Sequence, residues 1–271
     1  MTATEGAILG IVQGLTEFLP VSSKGHLALA GAILGVGKQS LVFKIAVHFG
    51  TLVSLLCFYW RDVLRLLSAT LRGALAPRAA YARDAEFRTA LQIVIGCIPV
   101  GVFGVLFEDR IEAWLDDPLY TCVGLLCTAC LLFSTSVAVL RNETTLSAGR
   151  ALWVGCAQVL ALLPGVSRSG TTISAGLWGG LPGPVAGRFS FLMSIPLILG
   201  ATVLESRKLF TQPPSCDDWI AMSVGTVCSC VTGIFALSLL LAVLRTRRFA
   251  WFGAYCLVVG GFGLAWILSH P

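Results

Sequence analysis

Over most of this chain the apolar residues run in long stretches, with polar residues gathered between them. Six of these runs, roughly 42–60, 89–107, 119–140, 185–204, 219–244 and 249–268, reach the length of about 20 residues that a helix needs to cross bilayer hydrocarbon. Two further apolar regions, 6–36 and 151–181, are broken at their centres by a proline and a polar cluster. The clusters read Pro20-Val-Ser-Ser-Lys-Gly-His26 and Pro164-Gly-Val-Ser-Arg-Ser-Gly-Thr-Thr172. Each half is too short to cross, so each region is predicted as a re-entrant helix hairpin. Such hairpins occur at membrane depth only where protein buries them or they line a polar cavity. The pattern predicts an all-α polytopic membrane protein, with six transmembrane helices and two re-entrant helix hairpins in one integral domain over 1–271.

The two broken regions are also copies of one another. Advancing the numbering by 145 pairs Gly10 with Gly155, Gln13 with Gln158, Leu15 with Leu160, Val21 with Val166 and Ser22 with Ser167. Gly25, Ala30, Gly31 and Gly35 likewise meet Gly170, Ala175, Gly176 and Gly180, without a gap. Glycine and alanine matches arise by chance in apolar sequence; the glutamine and the V-S-x-x-G core do not so readily. Each copy is one hairpin followed by three spans: repeat one over 6–140 and repeat two over 151–268. Three is odd, so the second copy enters the membrane upside down. In an inverted-topology repeat the functional site is expected where the broken segments meet.

Composition narrows the class. Of the 271 residues 56% are hydrophobic and 12% charged, against about 25% charged in an average soluble domain. That excludes a soluble globular enzyme and a disordered chain. The net charge of +5 comes from 19 basic residues spread along the chain, with no basic run interleaved with aromatics, so no nucleic-acid partner is expected. The loops at 61–88, 141–150 and 245–248 carry Arg61, Arg65, Arg72, Arg78, Arg83, Arg88, Arg141, Arg150, Arg245, Arg247 and Arg248. The opposite side has Arg110, Arg207 and Lys208 beside acidic Glu108, Asp109, Glu112, Asp116 and Asp117. The imbalance puts the first set in the cytoplasm and both termini outside. Nine cysteines lie in apolar stretches and Cys216 in a polar loop. Cys127 and Cys130 have CxxC spacing but no second pair or nearby histidine, so they are expected to be small buried hydrophobes. The N-terminus has neither a basic n-region nor a cleavage site, and no removable signal peptide is expected.

The charges isolate the candidate chemistry. Among 14 acidic residues only Glu17 falls inside an apolar segment, while Lys24, Lys38, Lys44, Arg168 and Arg188 lie in or beside such segments. An ionisable group at depth marks a functional site by default; the competing reading is an ion pair that locks the repeats together. Gly10, Gln13, Gly14 and Glu17 share one helical face of small and polar residues. Pro20 ends that half-helix, and Ser22 and Ser23 stand where the next begins. Ser22 there suits an N-cap. Ser23 and His26, three residues apart, are neighbours on a helix surface, supplying an oxygen nucleophile and a base, with Glu17 as orienting carboxylate or metal ligand. The second tip opens a helix with Ser167, Arg168, Ser169, Thr171 and Thr172, hydroxyls and a fixed guanidinium suited to phosphate oxygens. Of the other histidines, His48 in a span is read first as structurally hydrogen-bonded and His270 lies in the tail.

Gly14-Leu-Thr-Glu-Phe-Leu-Pro-Val-Ser-Ser-Lys-Gly-His26 and the Pro164–Thr172 segment closely resemble the two signature motifs of the bacterial undecaprenyl-diphosphate phosphatase family, the bacitracin-resistance type. The resemblance extends to length, hydropathy, motif spacing and the stretch Arg188-Phe-Ser-Phe-Leu-Met-Ser-Ile-Pro196. It implies an inner-membrane enzyme that removes the terminal phosphate of a C55 polyprenyl diphosphate, yielding the monophosphate carrier used in cell-wall synthesis. It also implies dependence on a divalent cation, Mg²⁺ or Ca²⁺, held near Glu17, and a site open to the periplasm. Carried over by motif position, Glu17, Ser23, His26 and Arg168 are the catalytic residues, with Gln13, Ser22, Lys24, Ser167, Ser169 and Thr172 binding the membrane-lipid substrate. Two departures stand out: Gln13, where the family often has Glu, bears on metal affinity, and Lys24 replaces the usual Ser or Thr. The expected mechanism is attack by Ser23 on the terminal phosphorus with His26 as base and then acid. Activation of water by His26, or His26 itself as nucleophile, satisfies the same spacing. A lipid flippase on the same inverted repeat is the rival of another class. Oligomeric state leaves no mark in the sequence.

Overall fold

A computed structural model describes residues 1–36, 40–107, 110, 114, 118–138, 146–206, 216–246 and 248–269. Lys38, Glu108, Asp109, Glu112, Asp116, Asp117, Arg141, Arg207, Lys208, Arg247, His270 and the side chain of Cys216 lie outside the described residues. Within them all regular structure is helical: α1 Ala3–Phe18, α2 Ser23–Ile33, α3 Leu41–Phe58, α4 Trp60–Gly73, α5 Pro77–Arg83 and α6 Ala85–Leu106. There follow α7 Pro118–Ser134, α8 Ala148–Gln158, α9 Arg168–Trp178, α10 Gly183–Ser206, α11 Cys216–Arg245 and α12 Trp251–Ser269. Six stretches, one in each of α3, α6, α7, α10, α11 and α12, are long and apolar enough to cross a membrane, matching the six runs in the sequence. Their outer faces expose rows such as Val227, Val231 and Phe235 on α11 and Val94, Ile98 and Val102 on α6, which only hydrocarbon accommodates at that extent. The chain is a multi-pass membrane protein.

Both interrupted regions are pairs of short helices. A capping box between Thr2 and Glu5 starts α1, and the extended Leu19, followed by Pro20, ends it. The second region runs through α8 and a 3₁₀ turn, Val159–Leu162, to Pro164, where α9 restarts under Ser167.

The region 61–88 holds helices rather than a plain loop. In α4, Leu66, Ala69 and Gly73 are buried, Leu64, Leu67 and Leu71 are exposed, and Arg61, Arg65 and Arg72 form a third face. Asp62 accepts a hydrogen bond from Arg188 at 2.6 Å, tying α4 to α10. That pair gives Arg188 a structural explanation. Cys57, Cys127, Cys130 and Cys156 are exposed free thiols rather than buried ones, because in a span the apolar face turns toward lipid as readily as inward.

Helix α11 is the spine that sets α1 and α3 side by side. Along α1, Gly6 packs on the backbone of Ala221, Gly10 on Gly225, and Gly14 on Ser229 and Thr232; small residues permit this approach without a hydrophobic drive between helices. Along α3, Ser54 donates to the carbonyl of Cys230 at 2.7 Å, while Ser229 and Thr226 donate to Val47 and Ala46 at 2.8 and 3.0 Å. In the other half, Gly155 of α8 lies on the backbone of Gly96 in α6. The first helix of each broken pair therefore crosses a long helix of the opposite half at a glycine–glycine contact.

Candidate active site

The two polar clusters meet. Gly170 approaches the ring of Pro20, and the hydroxyl of Ser169 donates to the carbonyl of Leu19 at 3.3 Å. The Arg168 guanidinium donates to Glu17 Oε1 at 2.5 Å. Glu17, with a side chain 7% exposed, is the hub. Its second oxygen, Oε2, accepts from Gln13 Nε2 at 3.0 Å and from Ser23 Oγ at 2.7 Å. His48 Nε2 stands 3.8 Å from the same oxygen. One carboxylate thus gathers an amide, a hydroxyl, an imidazole and a guanidinium from four helices, α1, α2, α3 and α9, and from both tips.

Local backbone explains the reach of Ser23. Ser22 lies at φ +66°, the one non-glycine in the left-handed region among the described residues. That conformation costs about 1–3 kcal/mol and persists only where surroundings impose it. It turns the chain sharply after Val21, so that α2 opens with Ser23 facing back to α1. Ser22 stands at the N-cap position but makes no side-chain cap bond; its carbonyl instead receives His26 Nδ1 at 3.0 Å.

His26 departs from the expected arrangement. Its Nε2 is engaged by the Tyr255 hydroxyl of α12 at 2.6 Å, and the two rings stack. With both ring nitrogens occupied, the hydrogen bond of Ser23 goes to Glu17. The i, i+3 spacing places the two residues on neighbouring positions of one helix, but their side chains diverge.

The second tip is rigid. Gly165, at φ +76°, lies against the backbone of Thr121 and Leu125 in α7, and Gly124 meets Pro164 from the same side. The Thr128 hydroxyl donates to the carbonyl of Gly165 at 3.1 Å and accepts from Ser167 N–H at 3.0 Å. Ser167 Oγ caps α9 by accepting from Gly170 N–H at 3.1 Å and lies 3.2 Å from Ser169 Oγ. The Thr172 hydroxyl is buried 2.6 Å from Ser190 Oγ. Ser167 and Thr172 therefore hold the tip in shape, while Arg168 projects from it. Lys24 is exposed on the first turn of α2.

Two observations bear on a divalent cation. Among the described residues no three His, Cys, Asp or Glu side chains cluster as a metal site. Gln13 Oε1, however, is a fully buried carbonyl oxygen without a hydrogen-bond partner, on the amide bound to Glu17. A carboxylate, an orphaned amide oxygen and a hydroxyl suit a hard cation that takes its remaining ligands from phosphate and water. The residues fit the group.

Sequence reasoning missed His48 as a site residue, along with Tyr255 and Thr128. His48 carried a signal as a polar residue in an apolar span; the other two carried none.

A family model described as bacitracin resistance protein BacA matches residues 6–262. A protein of Salinibacter ruber named undecaprenyl-diphosphatase is 41% identical over 99% of this chain and 100% of its own length. Proteins of the same name from Desulfosudis oleivorans and Korarchaeum cryptofilum are 39% and 40% identical, over 98% and 96% of this chain and 99% and 97% of theirs. The glutamate, serine and arginine that meet between the two tips therefore sit in a chain that belongs to the bacitracin resistance protein BacA family.

Proposed function

We propose that the chain is an undecaprenyl-diphosphatase, hydrolysing C55 polyprenyl diphosphate to the monophosphate and inorganic phosphate, as the names of its relatives indicate. The observation that carries a hydrolase is the Ser23–Glu17–Arg168 contact chain. A carrier needs groups that bind phosphate, but not a hydroxyl held 2.7 Å from a carboxylate.

The mechanism follows the hydrogen bonds. Glu17 Oε2 takes the Ser23 proton as Oγ attacks the terminal phosphorus; the P–O bond to the lipid monophosphate breaks, and its electron pair leaves with the bridging oxygen. Arg168 exchanges its carboxylate contact for the phosphoryl oxygens, where its fork stabilises developing charge. Water then displaces Ser23 from phosphorus, Glu17 returns the proton to Oγ, and inorganic phosphate departs. His26, held by Ser22 through Nδ1, passes a proton from Nε2, shared with Tyr255, to the leaving oxygen and takes one back from the attacking water. Lys24 adds a positive charge near the head group. Glu17, Gln13 Oε1 and the Ser23 hydroxyl are the groups that would hold a divalent cation, Mg²⁺ or Ca²⁺, whose chemistry is to neutralise diphosphate charge.

The same reading makes the broken helix pairs re-entrant and the halves inverted copies; the reciprocal Gly10–Gly225 and Gly155–Gly96 contacts support it. Eleven basic residues on one set of loops against three on the other support a bacterial inner-membrane orientation with the site open to the periplasm.

The test is phosphate release from undecaprenyl diphosphate by the purified protein in detergent, with and without chelator. Wild type is expected to release phosphate, and Ser23→Ala to lose the activity. Near-wild-type release by Ser23→Ala would refute the serine nucleophile, and no release from wild type under any divalent cation would refute the enzyme.

A further inference from the structure

Helix α4 belongs neither to the spans nor to the mechanism. With 14 residues, three of them arginine, it is too short and too charged to cross hydrocarbon, yet it begins where span α3 ends, after a break in the helix at Tyr59. Helical spacing sorts its side chains into stripes. Asp62, Leu66, Ala69 and Gly73 face the protein: Gly73 lies on the Phe87 ring of α6, and Asp62 accepts from Arg188 of α10. The opposite stripe is Trp60, Leu64, Leu67 and Leu71, continued by Leu75 beyond the helix, and each of these is more than half exposed. A quarter turn away stand Arg61, Arg65 and Arg72, all exposed. The acid of α4, Asp62, is committed to Arg188, and Arg72, 73% exposed, meets Asp84 at 4.0 Å. The arginine edge is therefore left with excess positive charge.

Two tryptophans mark the level of the bilayer surface. Arg61 lies over Trp60, with 5.2 Å from guanidinium carbon to ring centroid, and Arg248 lies over Trp251 at 5.5 Å. Both indoles are exposed at span ends, Trp60 just after α3 and Trp251 opening α12. The Asp62–Arg188 bond and the contact of Gly183 with Leu244 put the neighbouring ends of α3, α10 and α11 on one side, where α12 begins. Tryptophan and arginine gather where hydrocarbon gives way to headgroups. At that level a leucine stripe turned away from the protein meets acyl chains, and its arginine edge meets headgroup phosphates.

We propose that α4 lies in the membrane surface and that Arg61, Arg65 and Arg72 form a binding site for an anionic diacyl phospholipid, of the phosphatidylglycerol class, whose acyl chains cover the leucine stripe. Guanidinium forks match phosphodiester oxygens, and a zwitterionic headgroup would bring its own cation against the arginines. Only the leaflet rests on the orientation proposed above, which makes it the cytoplasmic one; the binding requires neither that orientation nor phosphatase activity.

The experiment titrates the delipidated full chain in detergent with phosphatidylglycerol or phosphatidylcholine of the same acyl chains, and native mass spectrometry counts the lipids bound at each step. Wild type is expected to take its first phosphatidylglycerol in clear preference to phosphatidylcholine. The preference should fall by about 5-fold for each arginine replaced, the weight of one basic residue at an anionic surface. The triple variant Arg61→Gln, Arg65→Gln, Arg72→Gln should then bind the two lipids alike. Arg110→Gln, beyond the far end of α6, should bind as wild type. Melting curves establish that the variants fold, and Arg65→Gln alone carries the test if the triple variant does not. Equal binding of both lipids by wild type, an undiminished preference in the folded arginine variants, or the same loss in Arg110→Gln would each overturn the proposal. So would a wild-type dimer that becomes monomeric in Leu64→Gln, Leu67→Gln, Leu71→Gln, since the leucine stripe would then belong to a second copy of the chain.

Discussion

Removing the guanidinium at position 168 leaves a carboxylate 7% exposed, still bonded by Gln13 and Ser23 but without its full positive charge. Breaking a buried pair from one side costs about 3–5 kcal/mol, since the remaining charge is uncompensated. Arg168 is itself 22% exposed, which puts Arg168→Ala at the lower end, ~3 kcal/mol by the same principle. At about 2–4 °C per kcal/mol for a chain of this size, its melting temperature should fall by roughly 6–12 °C. Glu17→Gln strands the guanidinium instead and should cost a similar amount. The double variant carries neither charge, so its loss should be well short of the sum of the singles, with a coupling of ~2 kcal/mol, within the range for residues in direct contact. Activity should behave in the opposite way. Arg168→Ala should lose ~100-fold or more in phosphate release, the magnitude for a donor aimed at transition-state charge, and the stability rescue in the double variant should restore none of it. The assay is a four-protein cycle of melting curves in one detergent, with phosphate release measured on the same preparations. Strictly additive melting losses would refute the energetic link between the tips, and recovery of activity with stability would reduce the pair to a structural clamp.

Three further outcomes follow from the structure around the site. Ser22 sits at φ +66°, so Ser22→Val should lower the melting temperature and kcat together, because a β-branched residue resists that region, whereas Ser22→Gly should melt within a few degrees of wild type; differential scanning fluorimetry and phosphate release distinguish them. A Cβ at Gly124 would strike the Pro164 carbonyl, while one at Gly101 meets nothing within 4 Å. Gly124→Ala should therefore displace Arg168 and depress kcat/KM, with Gly101→Ala as the silent control. Thr128→Val, which strands the Ser167 N–H and the Gly165 carbonyl, should destabilise by ~1–3 kcal/mol, with Thr128→Ser restoring the wild-type melting temperature.

The spans were legible because hydrocarbon imposes one rule over about 20 residues, and α3, α6, α7, α10, α11 and α12 fall close to the apolar runs. Breaks at Pro20 and Pro164 were equally legible, since proline and a polar cluster cannot continue an apolar helix. Helix α4 was hidden because arginines every few residues make an amphipathic helix resemble a charged loop until its three faces are separated. At the site, Glu17, Ser23 and Arg168 stood out by charge or motif. The divergence of His26 from Ser23 did not, because it depends on Tyr255, 229 residues away. His48 illustrates the same limit. The i−4 bond to the Lys44 carbonyl is local and foreseeable, but its second nitrogen finds Glu17 only because both helices pack on α11 through Gly10, Gly14, Gly50 and the Ser229 hydroxyl. Ser167 and Thr172 were legible as polar, but the bonds of their hydroxyls to the Gly170 N–H and to Ser190 were not.

The claim on which the account turns is that Ser23 Oγ, activated by Glu17 where the two tips meet, accepts the terminal phosphoryl group. The most direct measurement is a rapid quench of the wild-type enzyme turning over undecaprenyl diphosphate labelled with ³²P in the terminal phosphate, followed by mapping of the protein-bound label. The account predicts label on Ser23 that appears before steady-state phosphate release, and none on Ser23→Ala or Glu17→Gln. Full turnover with no covalent label, or label carried by His26, would contradict it.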